Sequence, residues 1–195
     1  MRLLIMGPPG AGKGTQARRV AGHYEIPAIS TGDIFRAMKT SDTPLAHQLR
    51  AIVDSGGLVS DEITNAVVAE RLTESDCGAG FLLDGYPRTL QQAEALDDFL
   101  ASSGKSLHAV ISLLADVDEV VDRLLKRAEV EGRSDDTADT IRRRQVIYRR
   151  ETEPLLAIYR DRGLLVEVDG LGAVEDVSAR LFAALDSRSN ELATQ

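Results

Sequence analysis

Short runs of mostly apolar residues recur along this chain and are separated by longer amphipathic stretches. The five runs are Leu3–Met6, Ala28–Ser30, Phe81–Leu83, Ala109–Leu113 and Leu164–Val168. Strands that are covered by helices on both faces show continuous apolar runs, whereas half-exposed strands alternate. The stretches between the runs repeat apolar residues at helical spacing. The pattern therefore predicts an α/β fold, with a five-stranded parallel sheet and helices on both of its faces.

Two segments interrupt this alternation. Residues 30–59 carry helical patterns without a strong strand, which predicts a small helical insertion, and residues 127–136 form a short polar loop. The tail, residues 187–195, is polar and is expected to fray. The remaining residues are predicted to form the core of a single domain: 1–29, 60–126 and 137–186.

Composition limits the classes of function. The chain has 195 residues, a net charge of −8 and a single cysteine, Cys77. One cysteine excludes a disulfide within the chain and a thiolate zinc cluster, and it fits a cytoplasmic protein. The negative charge disfavours nucleic acid and anionic membranes as partners. No apolar segment approaches the length of a membrane span, and nothing predicts a large exposed apolar face, so we expect a monomer.

A glycine-rich segment follows the first apolar run. Residues 7–15 read Gly-Pro-Pro-Gly-Ala-Gly-Lys-Gly-Thr, and a helical pattern begins directly after them. A strand, a glycine-rich turn and a helix in this order typically bind phosphate, because backbone N–H groups and the helix N-terminus face the anion. Lys13 would add a mobile charge for the outer phosphates. Gly14 stands where the general motif has Ser or Thr, which weakens the case for direct Mg²⁺ ligation by a loop hydroxyl.

An aspartate and an arginine come directly after the third apolar run. Asp84 would organise Mg²⁺ beside the phosphate loop, directly or through water, and the alternative is a turn or helix-capping aspartate. Arg88 would lie at the carboxyl edge of the sheet, where open α/β folds bind ligands. Its guanidinium can bind a phosphate with two hydrogen bonds. The alternative for Arg88 is a solvated loop arginine.

One arginine near the end of the chain stands out by its position. Arg144 shares a predicted helical face with Ile141, Tyr148 and Leu155. A charge on such an apolar stripe needs an anionic partner, because an unpaired buried charge is costly. Four neighbouring arginines point outward on the same wheel and are expected to be solvated: Arg142, Arg143, Arg149 and Arg150.

Together these motifs resemble the adenylate kinases, nucleoside-monophosphate kinases with a three-layer P-loop nucleoside triphosphate hydrolase-like fold. The matching segments run in order along the chain: Gly7–Thr15, Ser30–Asp33 with Arg36, Gly80–Thr89 with Gln92, Gly132–Asp136, and Arg144 with Tyr148 and Thr152–Leu155. The string Asp-Gly-Tyr-Pro-Arg is characteristic of nucleoside-monophosphate kinases. Thr31 and Gln92 are what point to the adenylate member, and the short segment 127–136 resembles the short-lid form, which has no zinc.

The resemblance implies two nucleotide sites and a set of residues for each. The ATP site would contain Gly10, Ala11, Gly12, Lys13, Gly14, Thr15, Arg123, Arg127 and Gly172. The AMP site would contain Thr31, Arg36, Gly57, Leu58, Val59, Gly85, Tyr86, Pro87, Arg88, Gln92, Arg133 and Arg144. The catalytic residues would be Lys13, Arg88, Arg123, Arg133 and Arg144, and Asp84 would hold Mg²⁺ through water. For Arg127, an ordinary salt bridge is the main alternative.

The resemblance also implies the reaction ATP + AMP ⇌ 2 ADP, by direct in-line transfer with Mg²⁺ as cofactor. Two other functions remain open at this point: a kinase for UMP or CMP, and a nucleotide-dependent switch without an acceptor site. Gln92 would read the adenine edge through its amide, or serve only as the capping partner of Thr89. Ser60 takes the place of the family's usual proline and is expected to cap the next helix.

Overall fold

The computed structural model describes residues 1–38, 44–115 and 137–193, and a parallel β-sheet lies at its centre. Within these residues the sheet has five strands in the order β2-β3-β1-β4-β5, and every neighbouring pair is parallel. The strands are β1 Arg2–Met6, β2 Ala28–Ser30, β3 Phe81–Asp84, β4 Ala109–Leu114 and β5 Leu165–Asp169. The predicted α/β fold with a five-stranded parallel sheet is confirmed.

Helices connect the strands and cover the sheet. They are α1 Lys13–His23, α2 Thr31–Met38, α3 Pro44–Asp54, α4 Asp61–Leu72, α5 Leu90–Ser102, α6 Ala138–Ile147, α7 Pro154–Asp161 and α8 Val174–Ala193. A 3₁₀ turn, Ser75–Cys77, precedes β3. Of the helices in the described ranges, none combines the length and the apolar character that crossing a membrane requires.

Both faces of the three central strands, β1, β3 and β4, are buried, which explains why they read as apolar runs, whereas the edge strands β2 and β5 contain exposed residues. In the central strand, Leu4 and Met6 belong to a core cluster with residues of α4, α5 and α7. Leu3 and Ile5 belong to a second cluster with residues of α1 and α8. Because β1 is packed from both sides, the loop that leaves its carboxyl end starts from a fixed point.

Helices α2 and α3 occupy the predicted insertion and share a small apolar cluster. Phe35, Leu49 and Val59 are buried in it, and side chains of α4 pack against it. The side chain of Ser60 accepts a hydrogen bond from the backbone N–H of Ile63, as its predicted capping role requires. That residues 30–59 form a separate helical insertion stays a prediction, and the predicted lid loop 127–136 lies outside the described residues.

A π-helical turn, Tyr148–Thr152, joins α6 to α7 and breaks the helical stripe predicted from the sequence. Ile141 and Leu155 are both buried, but they lie in different clusters. A π turn holds an extra residue relative to an α-helical turn, so a wheel drawn at 3.6 residues per turn no longer applies beyond it. The prediction of one continuous face from residue 141 to residue 155 was therefore wrong.

Helix α8 extends further than the sequence indicated. It runs to Ala193, and fraying of the polar tail from residue 187 stays a prediction. Arg188 lies in this stretch: its Nε donates to the carbonyl of His108 at 2.8 Å and its Nη2 donates to that of Gly163 at 2.5 Å. Both acceptors lie just before strands of the sheet, so this arginine fixes the polar end of α8 to the sheet edge.

Candidate active site

The glycine-rich loop between β1 and α1 has the backbone shape of an anion-binding turn. Gly10 and Gly12 have φ values of 89° and 87°, which residues with a side chain rarely adopt. Gly7 is equally constrained, because a Cβ built on it would lie 2.6 Å from the carbonyl oxygen of Leu113. Gly12 is also the N-cap of α1, so no side chain lies over the start of that helix. Its N-terminal N–H groups and dipole therefore face the loop, where they favour an anion.

Lys13 is the first residue of α1, and its ammonium lies back across the loop. Nζ donates to the carbonyl oxygens of Gly7 at 2.8 Å and Pro8 at 2.9 Å. Burial raises the pKa of the Asp84 carboxyl group, and the charge of Lys13 opposes that rise. The side chain thus lies between the loop backbone and the sheet edge, within reach of an anion in either place.

Asp84 is the last residue of β3 and lies beside both neighbouring strands, opposite Ile5 of β1 and Ser30 of β2. A Cβ built on Gly14 would lie 3.5 Å from Oδ2 of Asp84, so the carboxylate is next to the start of α1. Burial raises the pKa of Asp84, and the charges of Lys13 and Arg88 oppose that rise. A carboxylate between two cations, at the edge of a rigid sheet, is a suitable outer ligand for Mg²⁺.

The turn after β3 fixes the other half of the site. Gly85 has φ 81°, and its carbonyl oxygen accepts hydrogen bonds from Oγ1 of Thr31 at 2.9 Å and from Nε of Arg88 at 2.8 Å. Arg88 is further fixed through its own carbonyl, which accepts a 2.9 Å hydrogen bond from Oγ1 of Thr152. Burial lowers the pKa of the Arg88 guanidinium, and the charge of Asp84 opposes that change. An arginine held in this way is preorganised for an anionic ligand.

Gln92 is buried in the first turn of α5, and both of its alternative roles have a structural basis. Its backbone N–H donates to Oγ1 of Thr89, so the pair forms the predicted helix cap. Its side-chain amide is held separately: Nε2 donates to Oδ1 of Asp61 at 2.7 Å, and Oε1 accepts from the backbone N–H of Arg88 at 2.8 Å. The cap uses the backbone of Gln92 and leaves its side-chain amide to these two contacts, and Gln92 borders the cleft described below.

The charges of two further arginines act on Arg88. Arg36 forms an ion pair with Asp33 within α2, and its charge also acts on Arg88. Arg144 is half-buried and its charge lowers the pKa of Arg88, which places the two guanidinium groups near each other. The four arginines predicted to be solvated are exposed, namely Arg142, Arg143, Arg149 and Arg150. Three like charges around one point favour a polyanionic ligand.

These groups line one cleft of about 660 Å³. All the sequence-predicted site residues that the structure describes border it: Gly10, Ala11, Gly12, Lys13, Gly14, Thr15, Thr31, Arg36, Gly57, Leu58, Val59, Asp84, Gly85, Tyr86, Pro87, Arg88, Gln92, Arg144 and Gly172. Arg123, Arg127 and Arg133 lie outside the described residues. A single cleft therefore joins the phosphate loop to the arginine-lined half.

Three supporting residues were not found from the sequence. Asp61 holds the Gln92 amide, Thr152 holds the Arg88 carbonyl, and Nε2 of Gln145 donates to the carbonyl of Pro9 in the phosphate loop at 3.2 Å. Thr152 begins Thr152–Leu155, one of the segments that carry the family resemblance, and Asp61 directly follows Ser60. The sequence therefore drew attention to both segments but assigned no role to either residue. Their partners lie far away along the chain, and no local spacing reports such contacts.

A phosphate loop at the carboxyl edge of a parallel sheet, open to a second cationic half in the same cleft, defines a phosphotransferase of the P-loop class. Comparison with known proteins then identifies the family. The model of the family described as "Adenylate kinase" matches residues 5–164. The chain belongs to the adenylate kinase family.

Individual relatives agree with that assignment. The adenylate kinase of Nocardioides sp. is 58% identical over 186 residues, which cover 95% of this chain and 97% of the relative. That of Leifsonia xyli subsp. xyli is 58% identical over 186 residues, with 95% and 94% covered. That of Thermobifida fusca is 52% identical over 189 residues, with 97% and 100% covered. The resemblance noted from the sequence is confirmed, and neither a UMP or CMP kinase nor a nucleotide-dependent switch is favoured.

Proposed function

We propose that this chain carries out the adenylate kinase reaction, ATP + AMP ⇌ 2 ADP, in the cleft between the phosphate loop and the turn after β3. The observation that carries the proposal is the continuity of that cleft, which contains Lys13 and Arg88 together. A donor phosphate at the loop and an acceptor phosphate at Arg88 would then meet without a protein nucleophile. Direct in-line transfer requires this juxtaposition.

The ATP side of the reaction is assigned to the loop. The backbone of Gly10–Thr15 would bind the phosphates through its N–H groups, and Lys13 would exchange its hydrogen bonds to the loop carbonyls for the outer phosphates. Gly172, with φ 103°, borders the cleft and would pass close to the nucleoside. Arg123 and Arg127 would complete this site.

The AMP side is assigned to the other half. Arg36 and Arg88 would bind the AMP phosphate, and the backbone of Gly57–Val59 would border the nucleoside. Thr31 supports Gly85, which has no side chain between it and the ligand; a Cβ there would lie 2.9 Å from Oγ1 of Thr31. Gln92 would read the adenine edge with the donor and the acceptor of its amide.

Mg²⁺ is assigned to Asp84. The donor set fits this ion, because Mg²⁺ is usually held by one or two carboxylates, water and the phosphates of its nucleotide. The described residues contain no group of three or more His, Cys, Asp or Glu side chains that could hold a metal, so a fully protein-made cage is not part of the proposal. When bound, Mg²⁺ would neutralise phosphate charge. Asp84 would orient the ion's water ligands from the edge of the sheet.

Charge neutralisation during transfer is assigned to cations around the acceptor phosphate. Arg88 and Arg144 would stabilise the transferring phosphoryl group from one side and Lys13 from the other. Arg133 and Arg123 would add charge when residues 30–59 and 127–136 close over the nucleotides and exclude water. We propose further that the enzyme is a cytoplasmic monomer that acts on nucleotides and binds neither nucleic acid nor membranes.

A panel of acceptors tests the function. The purified chain is supplied with ATP and Mg²⁺ and with AMP, GMP, CMP, UMP, dAMP or IMP in turn, and diphosphate products are separated by chromatography. With AMP as acceptor, we expect ADP as the only product, two molecules for each ATP consumed. With the pyrimidine nucleotides, we expect far slower turnover. Rapid turnover of UMP or CMP without turnover of AMP would overturn the proposal.

A further inference from the structure

The buried contacts of the Gln92 amide carry a consequence for base selection. An amide NH₂ group has two hydrogens and an amide oxygen has two lone pairs. Among the described residues, one hydrogen is donated to Oδ1 of Asp61 and one lone pair accepts from the backbone N–H of Arg88. One donor and one acceptor remain on the amide of a side chain that borders the cleft.

Asp61 determines which end of this amide is the donor. An ionised carboxylate only accepts hydrogen bonds, so it holds the NH₂ end, and the backbone N–H of Arg88 only donates, so it holds the oxygen end. Rotating the amide by 180° would place two acceptors together at Asp61 and two donors together at Arg88. The two contacts, of 2.7 Å and 2.8 Å, therefore fix the amide in one sense.

The Asp61 carboxylate is itself held in place. Its Oδ2 accepts a 3.0 Å hydrogen bond from Oγ1 of Thr89, which also caps α5. Asp61 lies in the first turn of α4, after the Ser60 cap, where a negative charge interacts favourably with the helix dipole. The starts of two helices thus meet at one carboxylate, and it holds the amide from the side opposite the backbone of Arg88.

We infer that Asp61 is a positioning residue that sets the acceptor-base selectivity of the enzyme through Gln92. Adenine offers an acceptor at N1 and a donor at its amino group, whereas a 6-oxopurine offers a donor at N1 and an acceptor at O6. An amide whose donor and acceptor ends cannot exchange places complements only one of these two patterns when the base lies in a given position. The inference rests on the proposed function, because it assumes that Gln92 contacts the base.

The probe is IMP compared with AMP. The hypoxanthine of IMP has the reversed hydrogen-bond pattern and lacks the 2-amino group of guanine, so steric exclusion of that group does not enter the comparison. In Asp61→Asn, the new side chain can accept from or donate to the amide, so only Arg88 still opposes rotation. The matched control is Glu62→Ala, which removes an exposed carboxylate from the same helical turn without touching the amide.

We expect Asp61→Asn to lower the AMP-to-IMP ratio of kcat/KM about tenfold, the order expected for losing a hydrogen bond to a charged group. The change should lie mainly in KM for the acceptor, with KM for ATP unaltered. Glu62→Ala should leave the ratio unchanged. A ratio in Asp61→Asn within twofold of the unmodified enzyme, while the unmodified enzyme discriminates strongly, would overturn the inference.

A double-mutant cycle separates this inference from the proposed function. If Asp61 acts through Gln92, Asp61→Asn should change the ratio in the parent enzyme but not in Gln92→Ala. If Gln92→Ala alone leaves KM for AMP unchanged, the base contact itself is absent and that part of the proposed function fails. If Gln92→Ala raises KM for AMP and Asp61→Asn changes the ratio equally in both backgrounds, the base contact stands and the inference fails. Thermal unfolding of each variant shows whether it is folded.

Discussion

Three hydrogen bonds fix the position of Arg88, which distinguishes it from a mobile arginine on the surface. Its backbone N–H donates to Gln92, its carbonyl accepts from Thr152 and its Nε donates to Gly85. A single residue therefore links α5, the π turn and the turn after β3. Any ligand bound by its guanidinium meets a group whose position is already set.

Replacing Arg88 with lysine should separate charge from geometry. Lysine keeps the positive charge but loses both the hydrogen bond from Nε to Gly85 and the two-donor fork. We expect kcat/KM for AMP to fall by about 100- to 1,000-fold, as for loss of one preorganised donor in other active sites. Steady-state kinetics in both directions measure the change. Arg149→Lys, at an exposed position of the π turn, is the control, and equal losses in the two variants would contradict the role of Arg88.

His108 predicts a pH dependence of stability away from the cleft. Its Nδ1 accepts a 3.0 Å hydrogen bond from the backbone N–H of Arg2, which links β1 to the start of β4. Burial lowers the pKa of His108, and the charges of Arg2 and the chain's amino group lower it further. Because the unfolded chain then binds the proton more readily, the stabilisation is complete above about pH 6.5 and is lost as the pH falls through the depressed pKa.

The substitution His108→Asn tests this directly. The asparagine Oδ1 can accept the same backbone hydrogen bond, but it does not titrate. Urea unfolding at pH 7.5 and pH 5 should show a smaller loss of unfolding free energy in the variant than in the parent chain. Equal losses in the two proteins would assign the acid sensitivity to other groups.

At the scale of the elements, the sequence predicted the features that have a regular residue pattern, and it missed an irregular turn and a contact between distant residues. The strands were found because burial on both faces leaves a continuous apolar run, as in Leu3–Met6. The phosphate loop was found because its glycines have a fixed spacing. The π turn was missed because a single extra residue does not change the apolar pattern around it. The contact of Asp61 with Gln92 was missed because 31 residues separate them and only the fold brings them together.

The π turn gives a prediction of its own. Thr152 is buried, and its hydroxyl donates to the carbonyl of Arg88 at 2.9 Å. Thr152→Val keeps the shape and removes the donor of a part-buried hydrogen bond, so it should lower the unfolding free energy by about 0.5–1.5 kcal/mol, the net contribution of a typical hydrogen bond. Thr152→Ser keeps the hydroxyl and should be closer to the parent chain. Chemical unfolding and KM for AMP measure both effects, and equal behaviour of the two variants would contradict the role of this hydrogen bond.

At the scale of the whole molecule, the proposed function requires one cleft to bind two ligands through different residues. Helix α1 and the loop before it form one half, and the turn after β3 with α2 and α5 forms the other. Asp84 lies where these halves meet, at the end of β3 and next to β1. The two sites should therefore be separable by mutation, although they share one cavity.

Thermal unfolding with ligands tests this separation. A ligand at about 100 times its Kd stabilises the folded state by about 2.7 kcal/mol. Arg88→Ala should lose the rise in Tm produced by AMP but keep the rise produced by a non-hydrolysable ATP analogue. Lys13→Ala should show the reverse. Loss of both responses in both variants, with the fold intact, would indicate that the two ligands share one set of contacts.

The order of strands in the sheet also bears on how the chain reaches its structure during synthesis. β1 is made first, yet its partners are β3 and β4: Arg2 lies opposite Phe81, and Leu3 lies opposite both Leu82 and Ala109. A nascent chain emerging from the ribosome therefore carries the central strand, and the phosphate loop behind it, long before either neighbour exists. Because non-local pairing slows folding, those apolar residues stay unpaired until β3, Phe81–Asp84, has been translated, and their second partner follows only with β4, Ala109–Leu114.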